Sequence, residues 1–215
     1  MKNVFKPLSL FVASVLMLSC GGSNSEKQEE KDPGLMDKIS TATSAVKNLS
    51  KYEEYAKEME KRMNELKSLT PVSNEDLKSV LPDQINGLKR KSYAAGELSA
   101  MGVSSGSASY NLEDSEKNFS VDIYDGAGEA ASAMLSLLYM SFNADVEKET
   151  ENGFEKMVNY KDSKALVKQN KYGESVNSEI QWIENKRFVV TLKGNGYTYE
   201  ELSEIQKELD FSGLK

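Results

Sequence analysis

The sequence lacks histidine entirely and contains one cysteine among its 215 residues. Without histidine, the chain excludes Ser-His and Cys-His catalytic arrangements and His-ligated metal sites. A single cysteine excludes an internal disulfide and a zinc ribbon. Basic residues are in deficit, so the net charge is -7. This deficit argues against nucleic acid, whose phosphates need clustered cations. We therefore predict no nucleic-acid partner, no metal and no cofactor.

The N-terminal apolar run is too short to span a bilayer. It covers residues 8–18, with Ser9 and Ser14 inside it, whereas a spanning helix needs roughly 20 residues. Lys2 and Lys6 precede the run, and the only cysteine, Cys20, follows it. A short positive segment, an apolar segment and small residues before a cleavage point are the pattern of a signal peptide. We predict a signal peptide over residues 1–19.

The residues around the cysteine carry a family resemblance. Met17-Leu18-Ser19-Cys20 resembles the lipobox of bacterial lipoproteins, and its Ser-Cys ending is similar to the looser boxes of Bacteroidetes-type bacteria. The resemblance covers about the first 25 residues and implies that Cys20 becomes the lipid-attached N-terminus. Two or more acyl chains anchor a protein stably in a membrane. Gly21 resembles lipoproteins that pass to the outer membrane, so the resemblance implies an outer-membrane protein of the cell envelope. The alternative is an ordinary secretory signal.

Two segments separate this anchor from the main domain. Residues 20–34 comprise the cysteine and a small, polar and charged stretch, which predicts a flexible tether. Residues 35–70 contain an amphipathic helix over 35–69, which ends before Pro71 because the residue before proline avoids the helical region. Its apolar stripe consists of Leu35, Ile39, Ala42, Val46, Leu49, Tyr52, Ala56, Met59, Met63 and Leu66. A narrow stripe suits either packing on the chain's own domain or a coiled coil that forms a homo-oligomer.

Residues 71–215 predict an α+β domain with a mostly antiparallel sheet flanked by helices. Alternating apolar and polar residues indicate strands at 88–93, 105–112, 118–124, 154–161, 164–169, 176–184 and 187–193. Short turns join most of them, so neighbouring strands are expected to pair antiparallel. Capping boxes beginning at Ser73 and Thr198 predict two helices. A third helix is expected to begin after Asp125, which would be its N-cap, and to run to about residue 143.

The third helix supplies the best candidate binding site. Residues 130–144 carry no charge and are apolar on nearly every side, so such a helix is expected to be covered on every side. One interpretation is a central helix that packs between the sheet and another element. The functional interpretation is a groove for an apolar ligand or a partner protein, in which methionines adapt to varied shapes. Its candidate residues are Met134, Leu138, Met140, Phe142 and Met157.

Three hypotheses for function remain open. The first is a non-catalytic binding or interaction module at the membrane, whose partner is an envelope protein or a small apolar ligand. The second is a structural spacer that oligomerises through the helix at residues 35–69. The third is an envelope enzyme that uses paired carboxylates, for instance Asp122 with a second acid. Residues 71–215 also resemble uncharacterised bacterial lipoproteins in the segment 81–88 and in Arg187-Phe188-Val189-Val190, but this resemblance implies no activity.

Overall fold

The computed structural model describes residues 53–54, 56–111, 117–142, 144–161 and 163–214. These residues form an antiparallel sheet of nine strands with helices packed on both faces. The predicted signal peptide, Cys20, the tether and residues 35–52 of the predicted long helix lie outside the described residues. Among the described helices, none is both long and apolar enough to cross a membrane.

The sheet is built from two meanders that meet at its centre. The strand order is β1-β2-β3-β4-β9-β8-β7-β6-β5, so each meander runs from one edge of the sheet inward. The strands are β1 Gln84–Ile85, β2 Leu88–Ala95, β3 Ser105–Asn111, β4 Asn118–Asp125, β5 Glu147–Thr150, β6 Gly153–Tyr160, β7 Ser163–Tyr172, β8 Ser175–Glu184 and β9 Phe188–Asn195. β4 and β9 join the meanders in an antiparallel pair whose register runs from Asn118 opposite Asn195 to Asp125 opposite Phe188.

Helices connect and flank the meanders. Residues 53–54 and 56–67 are helical and form the described part of α1. They are followed by α2, Asn74–Ser79, and a short 3-10 turn, Ser99–Met101. α3, Glu129–Phe142, connects the two meanders, and α4, Tyr199–Lys207, follows β9. The predicted capping boxes of Ser73 and Thr198 are both formed and fix the starts of α2 and α4.

One face of the sheet, which we call the core face, holds the larger hydrophobic core. Alternate residues of each strand point to it, as the sequence pattern predicts. In β4 these are Phe119, Val121 and Ile123, all essentially inaccessible to solvent. They pack with Trp182 and with apolar side chains of α2, α4 and the C-terminal segment. Trp182 is fully buried within this core.

The opposite face, which we call the open face, is covered at one end only. There α1 and α3 pack on the sheet through a second apolar cluster, which consists of Leu66, Leu135, Phe142, Ile183 and Val189. Arg62 of α1 donates to the Tyr139 hydroxyl at 3.1 Å and lies over the same ring. The described part of α1 therefore packs on its own domain.

A buried ion pair connects the centre of the sheet to the segment between α1 and α2. The carboxylate of Asp125 is fully buried and accepts from Arg187 Nε at 2.7 Å and Nη2 at 2.8 Å. It also accepts from the backbone N–H groups of Val72 at 2.8 Å and Ala127 at 3.0 Å. Asp125 ends β4 and α3 begins only at Glu129, so the prediction of Asp125 as an N-cap is wrong.

The turn after Asp125 requires glycine for a steric reason. A Cβ on Gly126 would lie 2.4 Å from the Leu135 side chain and 2.7 Å from the carbonyl oxygen of Arg187. The sheet and α3 therefore approach each other here more closely than any other residue would allow.

Some features of the fold differ from the sequence-based predictions. β1 has two residues and β5 lies in the acidic stretch 145–151, and the sequence pattern predicts neither strand. All four residues of β5 are exposed, so this strand lacks the alternation of apolar and polar residues by which a half-buried strand is recognised. The prediction that α3 is covered on every side is also wrong for the described residues, because Leu137 and Met140 are 71% and 63% exposed.

Candidate binding face

Five asparagines form a straight row across five adjacent strands of the open face. Asn111 of β3 lies opposite Asn118 of β4, which lies opposite Asn195 of β9. Asn195 also faces Asn177 of β8, and Asn177 faces Asn170 of β7. Neighbouring strands lie about 4.8 Å apart, so this amide row is roughly 19 Å long. All of its members except Asn111 are exposed, and Asn111 is half-buried.

Asparagine is an unusual residue for these positions. It is depleted in strands, because its short side chain bonds readily to nearby backbone and favours turns. Three members of the row begin or end their strands, but Asn170 and Asn177 lie inside β7 and β8. Local preferences are most often broken where function requires it. The row is therefore a candidate for function as well as a solvated surface.

A second row, one step further along the strands, carries alternating charge. This charge row runs across β9, β8, β7, β6 and β5, and each member lies directly opposite the next. Its members are Lys193, Glu179, Lys168, Glu155 and Lys148. Opposite charges on facing strands stabilise a sheet by roughly 0.2–1 kcal/mol per pair. The charge row thus strengthens the sheet.

The charges of this row neutralise one another. Lys193 Nζ lies 3.3 Å from Asp122, and Lys168 Nζ lies 3.9 Å from Glu155. Partial burial lowers the pKa of Lys193, but Asp122 and then Glu179 outweigh it, and the net pKa is raised. Lys193 therefore stays charged at neutral pH. Counting Asp122 with the row gives three lysines and three acids, so the net charge of this surface is zero.

The two rows enclose a shallow depression of about 310 Å³. Four asparagines of the amide row line it, together with Lys193, Glu179 and Lys168 of the charge row. Tyr172 ends β7 two residues beyond Asn170, so strand alternation places it on the same face. The Tyr172 side chain is 66% exposed. The depression thus combines amides and paired charges, and one exposed aromatic ring lies on the same face of the sheet.

A larger cavity, with a volume of about 570 Å³, lies at the other end of the sheet. The cavity is bounded by α1, α3 and the β6–β7 and β8–β9 hairpins, and Lys161, Arg62 and Glu184 line it. Glu184 accepts from Lys161 Nζ at 2.7 Å and from the Trp182 indole N–H at 3.0 Å. Arg62 donates to the Tyr139 hydroxyl, so the polar groups of this cavity have partners within the domain.

The five predicted groove residues do not line one cavity among the described residues. Phe142 is buried in the second apolar cluster, and Leu138 and Met157 are partly buried against it. Met134 and Met140 point outward, with exposed fractions of 37% and 63%. The apolar groove therefore stays a prediction, and Met134 and Met140 on the outward side of α3 are its exposed members.

The acidic residue offered for catalysis has a basic neighbour. Asp122 contacts Lys193 on the open face. The described part of the chain contains no group of three or more Asp, Glu, Cys or His side chains arranged to hold a metal ion. The pairing of Asp122 with a second acid therefore stays a prediction.

Comparison with known proteins yields no relative. No protein-family model, no curated protein and no solved structure matches this chain. The candidate site must therefore be interpreted from its own geometry.

Strand alternation would have placed each asparagine on one face, but it does not give their mutual alignment. The alignment depends on β4 pairing with β9, strands that are far apart in the sequence. Sequence reasoning missed the row for that reason.

Proposed function

We propose that this chain is a lipid-anchored protein of the cell envelope that acts as a non-catalytic binding module. Its binding surface is the depression formed by the amide row and the charge row on the open face. The observation that carries this proposal is the alignment of five asparagines in register across five strands. Each primary amide offers two donors and one acceptor, so the row presents a repeated array for hydrogen bonding.

A lipid anchor at Cys20 would explain where such a surface acts. Lipidation of Cys20 would hold the domain at a membrane, and the tether 21–34 would extend at most ~50 Å. A weak binding surface held near a concentrated partner gains from a high effective concentration. This proposal does not need a deep pocket, which suits a shallow polar face.

Lysine acylation measured in the intact envelope tests the proposal. Lys168 and Lys193 lie in the depression, with side chains 36% and 52% exposed. Lys207 of α4 is 65% exposed and is also ion-paired, which makes it an internal control outside the depression. An amine-reactive reagent is applied to whole cells and to the full chain purified in detergent, and each lysine is quantified by mass spectrometry.

We expect Lys168 and Lys193 to react several-fold more slowly in the envelope than in detergent, after normalisation to Lys207. A bound envelope component would shield the first two lysines and leave the third unaffected. Equal normalised rates in both preparations would contradict the proposal.

A further inference from the structure

We infer that the ligand of the open face is a linear, uncharged chain of β-linked N-acetylhexosamine units. This inference rests on the proposed function and names the ligand class for the same surface. It is carried by four observations: the charge balance of the depression, its hydrogen-bonding groups, their spacing, and an exposed aromatic ring on the same face.

The charge balance excludes an ionic ligand. Lys193 is paired with Asp122, and Lys168 lies against Glu155. A phosphate-rich or strongly acidic ligand would need cations that are not already matched by acids. The paired surface instead favours a ligand that is polar and carries no charge.

The hydrogen-bonding groups favour hydroxyl and acetamido groups. A primary amide donates and accepts at the same time, as do a sugar hydroxyl and an acetamido group. An extended peptide would instead seek an open strand edge for backbone pairing. The strands β4, β9, β8 and β7 are paired on both sides, so their backbones are not available to a peptide.

The spacing of the row matches a linear glycan. Adjacent asparagines are separated by one strand spacing of about 4.8 Å, which is comparable to the length of one pyranose unit. A β-1,4-linked chain is extended and advances by one unit at about this interval, with successive units turned over, whereas an α-1,4-linked chain coils and loses the register. Tyr172, on the same face beside Asn170, offers an exposed ring for the apolar side of a sugar.

Calorimetric titration of the full chain in detergent tests this inference. The probes are chitopentaose, cellopentaose and maltopentaose, which separate the acetamido group from the linkage. The variants are Asn170→Ala, Asn177→Ala and Tyr172→Ala. The matched control is Asn159→Ala, because Asn159 is exposed on the same face at the far end of β6.

We expect chitopentaose to bind more tightly than cellopentaose, and maltopentaose not to bind. Each amide-row variant should raise Kd about twofold to tenfold, as the loss of a neutral hydrogen bond does. Tyr172→Ala should weaken binding as well, and Asn159→Ala should leave Kd unchanged. Exposed asparagine side chains contribute little to packing, so the variants should fold normally, which circular dichroism checks.

Either of two results would overturn the inference. One is that chitopentaose binds no more tightly than cellopentaose or maltopentaose. The other is an equal loss of affinity for Asn177→Ala and Asn159→Ala. If Lys168 and Lys193 are protected in the envelope and chitopentaose does not bind, the glycan inference fails and the proposed binding face survives. If the lysines are not protected, the proposed function fails first.

Discussion

Replacing Arg187 by methionine should destabilise the domain more than any surface change of similar size. Methionine keeps much of the side-chain length and removes the charge, so the fully buried Asp125 carboxylate loses the guanidinium that binds it at 2.7 and 2.8 Å. Arg187 also donates to the Thr70 carbonyl at 2.9 Å, and that bond is lost too. Removing one partner of a buried pair costs about 3–5 kcal/mol of unfolding free energy. That is a large share of a total stability of about 5–15 kcal/mol.

The assay uses the only tryptophan as the probe. Trp182 is fully buried and bonded to Glu184, so its fluorescence should shift to the red as the chain unfolds in urea. With an m-value of about 2 kcal/mol/M, a loss of about 4 kcal/mol lowers the midpoint by about 2 M. Lys207→Met is the control, because Lys207 pairs with Glu204 at 2.6 Å on the surface, where such a pair is worth about 0–1 kcal/mol.

A double-mutant cycle identifies the mechanism. Asp125→Asn alone leaves the Arg187 guanidinium without its carboxylate and should cost a similar amount. The double variant should lose about 1–3 kcal/mol less than the sum of the two single losses, because the second change removes the orphaned charge. Strict additivity, or a loss of unfolding free energy below about 1 kcal/mol for Arg187→Met, would refute the claim that this buried ion pair stabilises the domain.

Three further predictions concern the core, alkaline pH and the anchor. Leu135→Ala should lower the unfolding free energy by about 2–5 kcal/mol, whereas Leu137→Ala, on the exposed side of the same helix, should change it by less than about 1 kcal/mol; similar losses in urea unfolding would contradict the placement of α3. Burial raises the pKa of Tyr110 from 10.0 to about 12, so the folded protein keeps a proton that the unfolded chain has lost. The contribution of Tyr110 to the unfolding free energy should therefore be fully present below about pH 10 and be lost toward pH 12. Tyr110→Phe should show a shallower fall of unfolding free energy between these pH values, and an unchanged slope would count against this prediction. Cys20→Ala should move the protein from the membrane pellet to the soluble fraction and remove the acylated N-terminal peptide seen by mass spectrometry; retention in the pellet would argue against a lipid anchor.

Local features of the fold were predictable from the sequence. The alternation of Phe119, Val121 and Ile123 with polar neighbours correctly predicted a half-buried strand, and its hairpin with β3 is confirmed. The capping boxes at Ser73 and Thr198 were also recognisable, because their hydrogen bonds connect residues only three positions apart. These signals are local, so a single sequence is sufficient to read them.

Long-range features were not predictable in the same way. Asp125 was read as a helix cap, since Arg187 lies 62 residues away and only the folded sheet brings the two together. The amide row likewise depends on β4 pairing with β9. The exposure of the α3 methionines was not predictable either, because composition indicates an apolar helix but not which of its sides faces the sheet.

The most direct test of the binding face is an NMR titration of the full chain in lipid nanodiscs. Soluble fragments of envelope polysaccharide are added, and the side-chain amide signals of Asn170, Asn177 and Asn195 are followed with the backbone signals. The account predicts shift changes concentrated in β4, β9, β8 and β7 around the depression. Changes concentrated on the outward side of α3, at Met134, Leu137 and Met140, or no changes at all, would contradict it.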